Sequence, residues 1–351
     1  MKEKLMRLLA KLLKVAVCLL VIWLVLGLIP RGDNFEGANP MLVEEGELPL
    51  LIAHGGGNRE FPDNTLEAFY NAYSVDPRVM METDVSITKD NVVILSHDTT
   101  IDRKTNHTGA IISWNYTDLI AQEVDFGYTN ETDDNDALVE GSELKRFTTD
   151  DGRNVTPMDV TYPEGVTARH ETVFLATTLE ELIRAFPDNA INVEIKQSGE
   201  TGKTCLRAVL DLMNRLDEEG LKPYERVVLA SFHDEIYDEF QRLQEAGEVP
   251  ATFMCSPAMG SATKLYILQL LNLDMFYTDG VAVLQFPTEM YGFDLATSGL
   301  IDKAHRHNIA VHYWTINDPD EMRMLIDLGA DGIMSDYPHR LKEVYEAAKA
   351  K

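Results

Sequence analysis

The chain has 351 residues, of which 45% are hydrophobic and 25% are charged, a length and composition typical of one large catalytic domain with short attachments. Its formal net charge of -27 repels polyanions, so we expect no nucleic-acid partner. Its three cysteines are isolated in the sequence, which excludes a disulfide framework.

The N-terminus combines a basic flank with an apolar run. Residues 1–32 contain six Lys or Arg and one Glu, and 15–29 contain no charged residue. A membrane span needs about 20 apolar residues, and two leucines before Lys14 extend the run, so we predict a transmembrane anchor over about 12–29. A cleaved signal peptide is the alternative, although Gly27-Leu28-Ile29-Pro30 is a poor cleavage site. The positive-inside rule then predicts a single-pass protein of the cell membrane whose catalytic domain lies on the outer side.

Residues 33–49 are rich in acidic side chains and predict a polar stalk. From residue 50 to about 345, short apolar runs alternate with helical patterns. This alternation predicts a parallel sheet, and the number of repeats favours a TIM (β/α)8 barrel over an open sheet. The strand candidates are 50–53, 79–84, 92–96, 190–195, 226–231, 251–254, 280–284, 309–313 and 332–335. Nine candidates compete for eight places, so one lies outside the barrel, and 280–284 is the weakest because the helix signal before it is poor.

Three helix starts are marked by capping residues. Thr178-Leu179-Glu180-Glu181 is a capping box. Asp318 precedes Pro319, which suits the first position of a helix. Asn64 is predicted to be the N-cap of a helix that begins with Thr65-Leu66-Glu67.

Two connections break the alternation of strands and helices. Residues 85–91 are too few for a crossover helix, so an antiparallel hairpin is the first interpretation. Alternatively, these residues span about 23 Å at about 3.3 Å each and begin a parallel strand. Residues 113–172 have little periodicity and an excess of acidic side chains, which indicates an insertion in a loop at the active face. The sequence leaves open whether this insertion is a lid, a partner surface or a loop.

Polar residues stand at the C-terminal ends of the first four strand candidates, where barrel enzymes collect catalytic groups. The first candidate is followed by His54 and three glycines, and the third by His97. The second and fourth carry pairs spaced two residues apart, which share one face of a strand. These pairs are Glu82 with Asp84, and Glu194 with Lys196. We therefore predict that all six side chains meet at one end of the barrel.

Three of these side chains are carboxylates, and three carboxylates that converge are costly to ionise unless a cation lies between them. Glu82, Asp84 and Glu194 offer only oxygen ligands, which suits Ca²⁺ or Mg²⁺. Each residue alone also has a purely structural interpretation. His54 could belong to a turn, His97 could cap a strand, and Glu194 could form an ion pair with Lys196. However, a histidine, a carboxylate pair, a second histidine and a Glu–Lys pair follow one another at four successive strand ends, and this order favours a functional site.

The motifs in this order resemble those of the glycerophosphodiester phosphodiesterase family over about residues 50–340. They are Ala53-His54-Gly55-Gly56, Asp63-Asn64-Thr65, Glu82-Thr83-Asp84-Val85, Ser96-His97-Asp98, Ile101-Asp102-Arg103, Val193-Glu194-Ile195-Lys196, Ser231-Phe232, Trp314-Thr315-Ile316-Asn317 and Ser335-Asp336-Tyr337-Pro338. The resemblance implies metal-dependent hydrolysis of glycerophosphodiesters to glycerol 3-phosphate and an alcohol. The implied substrate is a small glycerophosphodiester or a lysophospholipid-like molecule.

The resemblance also implies a role for each site residue. His54 and His97 are implied to be the general acid and base, and Glu82, Asp84 and Glu194 to hold the metal. Lys196 is implied to contact phosphate, and Trp314, with Phe232, to line the pocket for the substrate. The sequence leaves open whether the nucleophile is water or a glycerol hydroxyl that forms a cyclic phosphate.

Two positions depart from the family pattern. Gly55 stands where the family usually has Arg, and Asp63 stands where it has Glu. We expect Arg59 to supply the missing positive charge from the same loop. Two other functions are kept as alternatives, namely a phospholipase C or D type hydrolase that acts on membrane lipid and an inactive binding or scaffold domain.

Overall fold

The computed structural model describes residues 2–130, 139 and 141–350. Eight parallel strands, numbered barrel strands 1 to 8 in chain order, form one curved sheet with the neighbour order 5-4-3-2-1-8-7-6. They are Leu50–Ala53, Met80–Ile87, Ile191–Ile195, Val227–Ala230, Met254–Cys255, Val283–Phe286, Ala310–Tyr313 and Gly332–Ser335. A 3.0 Å hydrogen bond from the Ala282 amide to the Cys255 carbonyl joins the two ends of the sheet. The sheet is therefore a nearly closed barrel.

Helices surround this barrel. The α-helices of the described residues are α1 Lys2–Gly27, α2 Leu66–Val75, α3 Tyr116–Ala121, α4 Leu179–Ala185, α5 Gly199–Glu218, α6 Asp234–Glu245, α7 Met259–Leu270, α8 Ser298–His305, α9 Pro319–Leu328 and α10 Pro338–Lys349. Helix α2 follows the first barrel strand, and α4 to α10 follow the second to the eighth. The eight strand–helix units confirm the predicted TIM barrel.

Two of the three predicted helix caps are confirmed. The Thr178 hydroxyl accepts from the Glu181 amide in a capping box, and Asp318 caps α9. The prediction for Asn64 is wrong, because Thr65 is the N-cap of α2 and its hydroxyl accepts a hydrogen bond from the Ala68 amide. Asn64 has a φ of 58° and turns its side chain toward barrel strand 2.

The strand candidate 92–96 lies outside the barrel. Val93–Leu95 pairs antiparallel with the end of barrel strand 2, which confirms the hairpin and rules out the parallel alternative. The candidate that we considered weakest, 280–284, overlaps barrel strand 6, so that expectation is wrong. The hairpin returns the chain to the rim of the barrel, where the Ser96 amide donates to the Asp84 carbonyl at 2.9 Å. His97 therefore lies beside the end of barrel strand 2.

The barrel interior is filled at the end where the strands begin. Met80, Val283 and Ala310, each the first residue of its strand, belong to a buried apolar cluster there. Phe35 and Met41 from the segment 33–49 are buried in the same cluster. The segment for which we expected a stalk thus packs against this end of the barrel and closes it. The opposite rim, at the C-terminal ends of the strands, is left for a site.

The predicted insertion, 113–172, contains α3 and two short paired strands, Tyr128–Thr129 and Lys145–Arg146. Residues 131–138 and 140 of this insertion lie outside the described part of the chain. The hydroxyl of Tyr337, just after barrel strand 8, hydrogen-bonds to Asp150. Part of the insertion therefore lies near the C-terminal rim.

Helix α1 contains one stretch, Glu3–Gly27, that is long and apolar enough to cross a membrane, and a signal sequence passes the same test. Its C-terminal end contacts the domain at the end of α7. The Trp23 indole donates to the Leu270 carbonyl at 3.0 Å, and the Asn272 side chain donates to the Trp23 carbonyl at 2.9 Å. Arg31 forms an ion pair with the buried Asp274. These contacts fix where the apolar helix meets the barrel.

Candidate active site

A cavity of about 180 Å³ opens at the C-terminal ends of the barrel strands. Seven of the nine side chains predicted for the site line it, and these are His54, Glu82, His97, Glu194, Lys196, Phe232 and Trp314. Asp84 lies directly behind them, within 3.1 Å of the Lys196 ammonium. Arg59 does not line this cavity; its side chain is 55% exposed, and its Nε lies 3.9 Å from Asp336.

His54 follows barrel strand 1 in a tight turn. Gly55 has a φ of 54°, and a Cβ at this position would lie 2.9 Å from the Cβ of Asp63. Glycine therefore suits this close approach, and the Gly55 amide donates to Glu82 at 2.8 Å. The Nδ1 atom of His54 lies 2.7 Å from an oxygen of Asp336. Burial lowers the pKa of His54, but the Asp336 hydrogen bond and the surrounding carboxylate charges outweigh it and raise the pKa to about 10.

Asp336 is a site residue whose role was not predicted from the sequence. It follows barrel strand 8, and its second oxygen accepts a 2.7 Å hydrogen bond from the Asn317 side chain. Burial raises the pKa of Asp336, but the bonds to His54 and Asn317 hold that pKa below its usual value. An ionised carboxylate at this position fixes the orientation of the His54 ring. Its position directly after a barrel strand is the signal that could have revealed it.

His97 is held by a second carboxylate. Its Nδ1 lies 2.9 Å from Asp98, and Arg103 donates two hydrogen bonds of 2.7 Å to that same carboxylate. Burial raises the pKa of Asp98, but the hydrogen bonds and charges of Arg103 and His97 together outweigh it and hold that pKa well below its usual value. Burial lowers the pKa of His97, whereas the bond to Asp98 and the nearby charge of Asp84 raise it above its usual value. Both histidines thus have one ring nitrogen bound to a carboxylate.

Glu82, Asp84 and Glu194 form an acidic cluster in which one oxygen atom of each carboxyl group lies within 4.8 Å of the other two. Barrel strands 2 and 3 pair Asp84 with Glu194, which brings these side chains together. The Lys196 ammonium lies 2.9 Å from Glu194 and 3.1 Å from Asp84. Asn64 completes the cluster, since its side-chain amide donates to Asp84 at 3.0 Å.

The charges of this cluster are only partly balanced. Burial and the charge of Asp84 raise the pKa of Glu82 to about 8, and burial also raises the pKa of Glu194. Burial acts in the same direction on Asp84, but Lys196 and the two histidines lower its pKa to about 2. Three close carboxyl groups that offer only oxygen donors match the ligand preference of a hard divalent cation. The cluster could therefore hold a metal ion.

One wall of the cavity is aromatic. The rings of Phe232 and Trp314 pack edge to face with centroids 5.7 Å apart. The Lys196 ammonium lies 5.9 Å from the centroid of the Phe232 ring. The cavity thus combines a charged floor, able to bind an anion and a cation, with an apolar wall.

Two known proteins are similar in sequence to most of the chain. Lysophospholipase D GDPD1 of Rattus norvegicus is 24% identical over 320 residues, a match that covers 83% of this chain and 84% of the relative. A probable glycerophosphodiester phosphodiesterase 2 of Mycobacterium tuberculosis is 21% identical over 301 residues and covers 84% of this chain and 90% of its own.

Solved structures share the barrel. The glycerophosphoryl diester phosphodiesterase domain of a Mycobacterium tuberculosis protein superposes with a TM-score of 0.58 at 17% identity and covers 85% of this chain and 99% of its own. An Oleispira antarctica phosphodiesterase in complex with the product sn-glycerol-3-phosphate gives a TM-score of 0.56 at 19% identity, covering 85% and 97% of the two chains. Residues 54–340 match the glycerophosphoryl diester phosphodiesterase family as a whole. Because this match spans most of the sequence, the chain belongs to that family of phosphodiester hydrolases.

Proposed function

We propose that this protein hydrolyses glycerophosphodiesters to glycerol 3-phosphate and an alcohol, with a divalent cation and two histidines. The observation that carries the proposal is the convergence of two imidazoles, three carboxylates and one ammonium around a single cavity. Water adds to phosphorus, the bond between phosphorus and the alcohol oxygen breaks, and the alcohol leaves with a proton.

His54 and His97 are the proposed general acid and base. One imidazole removes a proton from the attacking water, and the other gives a proton to the oxygen of the departing alcohol. Asp336 and Asp98 each hold the Nδ1 of one ring, which fixes the orientation of that ring for proton transfer. The two carboxylates also stabilise the imidazolium form that each histidine passes through.

Glu82, Asp84 and Glu194 are the proposed metal ligands, and their oxygen-only donor set favours Ca²⁺ or Mg²⁺. A bound divalent cation supplies Lewis-acid stabilisation of negative charge on phosphoryl oxygens. Lys196 binds the substrate phosphate from the adjacent position, and Phe232 and Trp314 contact the glycerol carbons. We assign the phosphate contact to Lys196 rather than Arg59, because Arg59 lies outside the cavity.

We further propose that α1 is a membrane anchor rather than a cleaved signal. Residues 1–32 then form the cytoplasmic flank and span, and the barrel of residues 50–345 lies on the outer side of the cell membrane. The contacts of Trp23 and Arg31 with the region around α7 support this, because they join the end of the apolar helix to the folded domain.

Product identity tests the proposed reaction. The purified full chain, supplied with Ca²⁺ or Mg²⁺, is expected to convert glycerophosphocholine to equal amounts of glycerol 3-phosphate and choline, both measured by mass spectrometry. Release of phosphocholine and glycerol would show that the other phosphoester bond is cut, as in a phospholipase C type reaction. A panel of glycerophosphodiesters without turnover under either metal would favour the scaffold alternative.

Asp336→Asn is expected to lower kcat by about 10² or more with little change in KM, because it removes the carboxylate that orients His54 and stabilises its imidazolium form. Steady-state kinetics on glycerophosphocholine measure both constants. Asp331→Asn is the matched control, since Asp331 is equally buried and binds His305 at 2.7 Å outside the cavity. Equal losses of kcat in the two variants would show that Asp336 has only a structural role.

A further inference from the structure

A second, apolar cavity of about 310 Å³ adjoins the site cavity. It is the groove between α7 and the hairpin formed by Glu289–Met290 and Phe293–Asp294, and we call it the α7 groove. Its floor and walls include Met259, Tyr266, Leu270, Phe286, Phe293 and Trp314. This lining contains no charged side chain, although 25% of the residues in the chain are charged. Its chemistry therefore suits a hydrocarbon rather than a sugar or a polar peptide.

The α7 groove shares part of its lining with the site cavity. Phe232, Pro257, Gln285 and Trp314 line both. The edge-to-face pair of Phe232 and Trp314 is thus a wall shared by the two spaces. A molecule whose phosphate lies at Lys196 could extend an apolar tail past this wall into the groove.

The rim of the α7 groove exposes large apolar side chains to solvent. Tyr291 is 90% exposed, Phe293 57% and Ile267 50%. Tyr266 and Phe293 face each other across the groove with ring centroids 6.3 Å apart. Contiguous apolar surface of this kind is uncommon on a soluble domain and marks a binding site.

The groove runs toward the end of the apolar helix α1. Its lining follows α7 from Met259, near the site cavity, to Leu270, whose carbonyl accepts the hydrogen bond from Trp23. Eleven helical steps between these residues correspond to about 16 Å. An acyl chain in one leaflet spans about 15 Å, half of a hydrocarbon core that is about 30 Å thick. The groove therefore has the length of one acyl chain and ends where the membrane helix joins the domain.

We infer that the α7 groove binds the single acyl chain of a lysophospholipid whose phosphodiester occupies the site cavity. The inference rests on the proposed function and narrows its substrate class to glycerophosphodiesters with an acylated glycerol. The bond that breaks is the same, so the products are lysophosphatidic acid and the free alcohol. The aromatic wall of Phe232 and Trp314 then lies between the glycerol and the tail.

Chain length is the first test. Choline release by the full chain is compared between glycerophosphocholine and acyl glycerophosphocholines with chains of six, eight, ten and twelve carbons, each used as a monomer below its micelle concentration. We expect kcat/KM to rise by about 2- to 4-fold for each added methylene, as for transfer of a methylene from water to an apolar site. A kcat/KM that does not change with chain length would overturn the inference.

Variants in the groove are the second test. Ile267→Asp places a charge in the lining, and Thr263→Trp fills the groove from an exposed position of α7. Each is expected to lower the ratio of kcat/KM for the twelve-carbon substrate to that for glycerophosphocholine by about 10-fold or more. Ile112→Asp is the matched control, because Ile112 is 42% exposed and lies outside the groove, and it should leave the ratio unchanged.

The results separate the two proposals. If glycerophosphocholine is hydrolysed but the groove variants keep the wild-type ratio, the groove inference is wrong and the proposed hydrolysis stands. If diacyl phospholipid in vesicles is hydrolysed as fast as the lysophospholipid, the assignment of a single chain is wrong. If choline is released from the lysophospholipid but not from glycerophosphocholine, the groove is supported and the proposed substrate class is too broad.

Discussion

His54→Asn and His97→Asn are each expected to lower kcat for glycerophosphocholine by about 10²- to 10⁴-fold, the usual contribution of a general acid or base. Asparagine keeps a polar side chain of similar size but cannot exchange a proton near neutral pH. The asparagine amide can donate to Asp336 or Asp98 in place of the ring Nδ1, so the fold around the site should survive the substitution. Choline release measures the loss, and thermal unfolding of the variants checks that they are folded.

The leaving group shows which histidine is the acid. A p-nitrophenyl phosphodiester of glycerol releases an oxygen that needs no protonation, so it should restore most of the rate in the variant that lost the acid. The variant that lost the base should stay slow on both substrates. His305→Asn is the control, because His305 binds Asp331 outside the cavity, and its kcat should stay within about 2-fold of the wild type. The paired mechanism is wrong if either site variant keeps the kcat of this control.

The site residues at the ends of the strands could be predicted from the sequence because their pattern is local. Glu82 with Asp84, and Glu194 with Lys196, are spaced two apart on strands whose apolar character is visible in the sequence. The partner of His54 was not predictable in the same way, because Asp336 is 282 positions away in the sequence. Barrel closure brings the two together, and no local pattern reports it. Residues that act directly at the site were thus easier to find than the residues that orient them.

Asn64 shows how a tertiary contact overrides a local preference. Both Asn64 and Thr65 are good N-cap residues, and the sequence alone favoured the first. In the structure the Asn64 side chain binds Asp84 and the Thr83 hydroxyl, and the cap is provided by Thr65 instead. The contacts of the acidic cluster therefore decide where α2 begins.

The weak signal for barrel strand 6 has a related cause. Helix α7, which precedes that strand, buries Ala262 and Leu265 on one side and exposes Ile267 and Leu270 on the other. Apolar residues on both faces remove the helical periodicity that would have identified the strand–helix unit. The same exposed residues line the α7 groove, so the feature that obscured the fold indicates a binding surface.

Removal of divalent cations is expected to abolish activity, and added Ca²⁺ or Mg²⁺ to restore it. Among the described residues, one ammonium, that of Lys196, lies beside the acidic cluster, and a divalent cation would supply the further positive charge that attracts the phosphoryl group of a bound substrate. After chelation we expect kcat to fall by more than about 10²-fold, as for loss of a Lewis acid that is worth several kcal/mol.

Metal binding can also be measured without an activity assay, through the melting temperature of the protein. Metal at about 100 times its Kd stabilises the fold by about 2.7 kcal/mol, which raises the melting temperature by several degrees.

The metal-free protein should also become less stable as pH rises from about 4.5 to 8. Burial and the charge of Asp84 raise the pKa of Glu82 from 4.5 to about 8, so in this window the folded state binds more protons than the unfolded state. By linkage, stability then falls as pH increases through the window. Glu82→Gln should remove much of this slope in the presence of chelator and should weaken both reactivation and stabilisation by metal.

Glu67→Gln is the matched control for Glu82→Gln, since Glu67 is also a buried glutamate but pairs with Arg169 at 3.3 Å outside the site cavity. This control should bind metal with the affinity of the wild type and keep the pH slope of the chelated protein. Thermal unfolding from pH 4.5 to 8, with chelator and with metal, measures all three proteins. Activity that survives chelation, or a metal response that Glu82→Gln leaves intact, would show that the acidic cluster is a structural network and that phosphate is bound by Lys196 alone.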